Sequence, residues 1–366
     1  MAISINAVVF LLIIVLGDVP AGVLADKWQR RYVLLIAFAA LFISSLIGGF
    51  SNNLLEYLPM TIALGAFVVL TQGTFQALMY DTLRTIGESN TYDRHQGVSY
   101  ALFLSGLSIS SLVGGYMAQW FDFRATYFAT AAFMLVACVM TLSLVESKIH
   151  KPITDRKLKE HVAFGVRHIF ANKLLLQLAL LITAAGVLRS AQNEYAGLLF
   201  IALGLGAIPM GYATAVKWLV SSFGQIIAPK IGRRVLKLTP LFFITFLLFS
   251  VVQSQWSLLF FYVSCFLYAI ISNQAEAAVQ DNTPSEIRAT MLSIFSFASN
   301  IILVPLSILF GWIAQHSNVF NAYLMIAAVG ILYLISWMLR GRKIIMAVTS
   351  LPARATKLPS AEDDIV

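Results

Sequence analysis

Eleven predominantly apolar stretches of about 20 residues follow one another along this chain, and each can cross a hydrocarbon core of roughly 30 Å. No other feature limits the fold as severely. The stretches run at roughly 2–20, 32–50, 57–80, 96–119, 125–145, 174–196, 206–228, 238–254, 257–280, 289–312 and 321–340. They are too long for barrel strands and show no apolar/polar alternation. In lipid a backbone must satisfy its own polar groups, so the stretches are expected to be helices. Composition points the same way. Of 366 residues 59% are hydrophobic and 11% are charged, against about 45–50% and about 25% in soluble domains. A soluble core of this length has no room for such an excess. The expected fold class is all-α integral membrane.

The net charge of +8 does not point to nucleic acid, because Lys and Arg gather in short loops on alternate sides of the spans. One side carries Lys27, Arg30 and Arg31, then Arg84 and Arg94, then the cluster from Lys148 to Lys173. It goes on with Lys230, Arg233, Arg234 and Lys237, then Arg288, then Arg340 to Lys357. The other side carries Arg124, with Arg189 and Lys217 inside spans. The basic side is therefore cytoplasmic, in an inner or plasma membrane, with the first residue outside and the tail inside. Cys138 and Cys265 both lie within spans, so no disulfide framework is implied.

This topology divides the chain into a first bundle at 1–145, a cytoplasmic linker at 146–173, a second bundle at 174–341 and a cytoplasmic tail at 342–366. Within the linker Leu158, Val162, Val166, Ile169 and Phe170 recur at helical spacing beside Lys157, Lys159 and Arg167. That pattern fits a helix lying on the inner leaflet; the alternative is a solvated linker. The bundles contain a repeat. Lys27-Trp28-Gln29-Arg30-Arg31 after the first span answers Lys230-Ile231-Gly232-Arg233-Arg234, and two spans later Asp81 answers Asp281. This alignment leaves the span at 174–196 without a counterpart, so the first bundle is expected to be one helix short at its start.

Gly22-Val23-Leu24-Ala25-Asp26-Lys27-Trp28-Gln29-Arg30-Arg31-Tyr32-Val33-Leu34 resembles the signature loop of the major facilitator superfamily, with Lys27 for Arg and Gln29 for Gly. The resemblance implies that family's fold, two pseudo-symmetric helical bundles with the first family helix absent. It also implies that Gly22, Asp26, Arg30, Arg31 and Asp81 form a cytoplasmic gate motif. The alternative is that these residues only orient the protein by the charge rule. Gly97, Gly106, Gly114 and Gly115 partly match a glycine pattern of drug:proton antiporters, with Ser110-Ser111 where Gly-Pro belongs. An ordinary small-residue packing face fits them equally well.

Ionisable residues inside a membrane are functional by default. Lys217 lies about 16 Å from the cytoplasmic end of its span, near the midplane, and is read as a substrate or coupling group or else a structural ion pair. Arg189, about 24 Å in, heads a polar run with Gln192, Asn193 and Glu194. It is either an outer gate or binding group, or it snorkels to the outer headgroups. Gln72, Gln274, Glu276 and Asn300 complete the candidates, each amide having helix-to-helix bonding as its alternative. No nucleotide-binding loop, metal motif or nucleophile elbow occurs, so no cofactor, metal or enzymatic role is expected. The reading is a secondary transporter of a small organic solute by alternating access, coupled to protons and monomeric. It leans to efflux or antiport of drug-like compounds. Uptake of an anionic metabolite by symport and a non-transporting remnant are the alternatives.

Overall fold

The computed structural model describes residues 2–71, 74–88, 92–144, 166–283 and 288–341. The chain is all-helical throughout these residues. The first part comprises α1 (Ala2–Lys27), α2 (Arg30–Phe50), α3 (Leu54–Thr71), α4 (Thr74–Thr85), α5 (Tyr92–Trp120) and α6 (Phe123–Leu142). The second comprises α7 (Lys173–Ala202), α8 (Ala207–Ile231), α9 (Thr239–Val251), α10 (Ser257–Asp281), α11 (Arg288–His316) and α12 (Val319–Ser336). Among the described residues eight apolar helical stretches are long enough to cross a membrane, and Ile3–Gly17 and Leu55–Thr71 are shorter apolar helices. One of the eight, Ala207–Val251, holds both α8 and α9.

Local chemistry fixes the helix ends. Asn53 caps α3, with Glu56 reaching back to the residue before the cap. The Glu56 backbone N–H donates to Asn53 Oδ1, and the Glu56 carboxylate accepts from the Asn52 backbone. Asn172 caps α7 by accepting from Leu174 and Leu175, and Asn318 caps α12 by accepting from Asn321. The helix α8 outruns its expected end and continues to Ile231 despite Pro229, because Gly232 at φ +67° is what stops it. A 3-10 segment, Gly232–Leu238, then leads into α9, whose first turn takes Pro240. Residues 166–171 of the linker are helical, with Ile169 buried in the core and Phe170 exposed. Leu158 and Val162 lie outside the described residues.

Packing differs between the two parts. In the first, α2 lies against α3 and α6, and α1 against α3. In the second, α7 is central and touches α10, α11 and α12, while α9 packs on α10 and α12. A single buried cluster runs through α7–α12, and α1 adds only Ala7 and Leu11 to it. Its densest knot is aromatic: Tyr195 stacks on Phe310 at 3.8 Å, and Tyr323 meets Phe249 edge-on at 5.0 Å. The two parts join along α5 with α8 and α1 with α11.

Candidate functional site

Three polar stripes at four-residue spacing interrupt otherwise apolar helices: Arg189 and Asn193 on α7; Lys217, Ser221 and Gln225 on α8; Tyr268, Ser272 and Glu276 on α10. Residues four apart share a helix face, so each stripe is a polar line down one side. The fold turns the three lines toward one another. Across from them α5 supplies Tyr100 and Leu104, and the enclosed space forms two adjoining cavities. The larger, of about 730 Å³, is lined by Gln225, Asn273 and Glu276 among others. The smaller, of about 220 Å³, is lined by Arg189, Asn193, Trp218 and Ser221 among others. Tyr100, Leu104, Gln225 and Tyr268 border both.

Of the two intramembrane cations Arg189 lines the smaller cavity, and Lys217 stands behind one of its lining residues, Asn193. Arg189 is 9% exposed and turns inward. It donates to Ser221 Oγ and to Cys265 Sγ, each at 3.3 Å, and its guanidinium lies over the rings of Trp218 and Tyr268. Snorkelling to outer headgroups is therefore not the arrangement found. Lys217 is 3% exposed and donates to Asn193 Oδ1 at 3.3 Å, with its ammonium 4.3 Å from the Trp218 ring centre. Since α8 is longer than expected, Lys217 lies about 21 Å from its Ile231 end and about 15 Å from its Ala207 end. Among the described residues no carboxylate reaches ion-pair distance of either cation.

The remaining sequence candidates distribute unevenly. Glu276 lines the larger cavity. Gln274 does not; it is buried and donates to Asn273 Oδ1, while Asn273 donates to Gln225 Oε1. Glu194 lines neither cavity, and Asn300 is half-buried on α11 away from both. Gln72, and the side chains of Gly22, Asp26 and Asp81, lie outside the described residues. Arg30 and Arg31 open α2, and Arg31 donates to the Leu144 carbonyl just past α6. In the second half of the repeat Arg233 is ion-paired with Asp281. Trp218, Tyr268 and Tyr100 were absent from the sequence candidates because aromatic residues in spans carry no signal of their own. The four-residue polar spacing around them was readable.

The cavity is one-ended. Near the Trp120 end of α5 and the Ala207 end of α8, Gly115 and Gly211 face each other so closely that a Cβ on Gly211 falls 2.7 Å from the Ser111 carbonyl. The hydroxyls of Tyr116 and Tyr212 share a 2.8 Å hydrogen bond at the same place. From Ser108, whose Oγ reaches the Ala215 carbonyl at 3.4 Å, the helices part and the cavities begin. Of the α5 glycines, Gly115 is the one placed on α8, whereas Gly106 has open space beside it and Gly114 meets Thr126 of α6 only at 3.9 Å.

Comparison with known proteins bears on this arrangement. The family model described as Major Facilitator Superfamily matches residues 1–301. No curated protein matches the sequence. Among solved structures, a mutant of the nucleoside transporter NupG is 13% identical at a TM-score of 0.72, covering 93% of this chain and 90% of that one. A D-xylose-proton symporter is 15% identical at 0.71, covering 92% and 88%. A POT family transporter in complex with a thioalcohol-conjugated peptide is 13% identical at 0.70, covering 94% and 88%. At these identities the likeness shows the fold.

Proposed function

The chain belongs to the major facilitator superfamily and is a multi-pass membrane transporter rather than an enzyme; on that premise we propose that it moves a small organic solute through the α5–α8–α10 cavity by alternating access. The observation that carries this is the one-ended opening. The same two helices that touch backbone to backbone at Gly115 and Gly211 diverge around an open space whose lining includes Gln225, Ser272, Asn273 and Glu276. Polar groups are expensive in a membrane interior, and a space of about 730 Å³ falls in the usual range for small-molecule sites.

In this reading the bundles at 1–145 and 174–341 rock against each other, joined through 146–173, with 342–366 as a cytoplasmic tail. Eleven spans place residue 1 outside and the basic loops in the cytoplasm of an inner or plasma membrane. The cavity then faces the cytoplasm, since its lining lies toward the Arg233–Asp281 end of α8 and α10. The protein acts as a monomer. Glu276 is the coupling group. It opens onto the cavity and is the only carboxylate among the described lining residues. Coupling to protons is supported by the likeness to a D-xylose-proton symporter. Asp26, Arg30, Arg31 and Asp81 latch the cytoplasmic end, as Arg233 and Asp281 pair in the second half.

Reconstitution into vesicles holding a pH-sensitive dye tests this reading. Solutes added one at a time should release a proton gradient for some compounds and not others. Glu276→Gln should abolish that release while leaving solute counterflow intact. The same vesicles preloaded with a drug-like dye test efflux, the direction to which the α5 glycine pattern leans. Folded protein that neither moves protons with any solute nor supports counterflow would sink the proposal.

A further inference from the structure

Beside apolar Leu104 and Ala269, the nitrogen groups that line the smaller cavity come from Arg189, Asn193, Trp218 and Gln225, and they can present hydrogen-bond donors to it. An ammonium has no acceptor, so the Asn193 atom that Lys217 meets must be the amide oxygen. The Asn193 –NH2 is thereby left for the cavity that Asn193 lines. An amide relay orients the opposite wall. Gln274 donates to Asn273 and Asn273 donates to Gln225 Oε1, which frees the Gln225 –NH2. Ser221 offers little as an acceptor, since its Oγ already receives from Arg189 and donates to the Lys217 carbonyl.

Arg189 itself is under-satisfied. A guanidinium has five N–H donors. Its two described bonds reach a hydroxyl oxygen at 3.3 Å and a thiol sulfur, a weak acceptor. Arg189 therefore lines this small space with no carboxylate among its described lining residues, and Lys217 adds a second positive charge behind Asn193. Contacts to the faces of Trp218 and Tyr268 offset part of this cost. They supply no acceptor.

We propose that the smaller cavity is an anion subsite that takes the carboxylate of a small organic acid, with Arg189 and Asn193 as its direct contacts and Lys217 as the residue that orients Asn193 and adds positive field. The inference rests on the transporter reading and specifies the substrate of that same site. Trp218 and Tyr268 hold the body of the acid between flat walls. Gln225, Asn273 and Ser222 of the larger cavity meet its hydroxyl groups.

The test pairs acids with neutral isosteres, gluconate against glucose and benzoate against benzamide, on purified full-length protein in nanodiscs. Binding is read by thermal stabilisation and by calorimetry. Wild type should bind an acid of the panel and not its neutral partner. Arg189→Gln should weaken that acid by about a hundredfold, as expected for losing a charge-assisted bond to a buried ligand. Arg189→Lys should restore part of the preference. Asn193 is exposed, so Asn193→Asp should fold normally and still abolish acid binding by placing a carboxylate in the subsite. Equal binding of acid and neutral partner, no binding of any acid, or acid binding unchanged in Asn193→Asp would overturn the inference. Proton-coupled counterflow of a neutral solute by the same proteins reconstituted into sealed vesicles would then show that the transporter reading survives without it. Absence of all counterflow would sink both.

Discussion

The helices α7 and α6 are equally apolar, yet the protein uses them oppositely. Their best windows have mean hydropathies of 1.8 and 1.9, but 61% of the first is buried in protein and only 11% of the second. The same contrast holds between α10 and α5, both at 1.5, with 56% and 17% buried. In water, apolar character predicts burial. In a bilayer lipid is as apolar as a leucine core, so burial reports how many neighbours a helix has. The helix α7 has three close neighbours in the second part. In the first part α5 finds its main partner across the seam in α8.

The largest effect is expected at that seam. Gly211→Leu would put a side chain onto the Ser111 backbone, which cannot yield as a side chain would. Overpacking of this kind costs about 3 kcal/mol. It should lower disulfide trapping between Tyr116→Cys and Tyr212→Cys severalfold, and unchanged trapping would show that the two parts do not meet there.

Next comes a direct comparison of the parts. In lipid the transfer penalty of a large-to-small change largely vanishes, and the cavity cost remains. Phe249→Ala, in the aromatic knot, should cost about 2 kcal/mol on that basis. Phe133→Ala, 71% exposed on α6, should change stability by less than about 0.5 kcal/mol. Unfolding in mild detergent checks both, and equal losses would break the contrast.

The smallest effect concerns the repeat. Breaking the Arg233–Asp281 pair with Arg233→Gln should cost about 1 kcal/mol or less, because Asp281 is 46% exposed and solvent screens it. Exchanging the two charges should restore the loss. If Arg30→Gln behaves alike, the repeat is energetic as well as sequential.

Much of the fold was legible in the sequence, because hydropathy and loop charge operate at a distance of twenty residues and need no side-chain detail. The ends of α8 were less legible. Pro229 reads as a stop, whereas the positive φ of Gly232 is the true one. Of the candidate site, Arg189, Lys217 and Glu276 stood out, since charge in a span is conspicuous. Which way Arg189 points was not readable. Its rotamer is decided by Trp218 and Tyr268, which come from two other helices. Gln274 illustrates the converse. It is a polar residue on a lining helix, yet it is turned into the amide relay rather than into the cavity.

The most direct test of the central claim, a one-ended cavity between α5 and α8, is the labelling rate of Ser222→Cys by a membrane-impermeant maleimide. The reagent is applied from each side of sealed, oriented vesicles, with the parent protein as blank for Cys138 and Cys265. Ser222 lines the larger cavity. The account predicts fast labelling from the side of the Arg233–Asp281 pair and slow labelling from the side of Tyr116 and Tyr212. Equal rates from both sides, or protection from both, would contradict it.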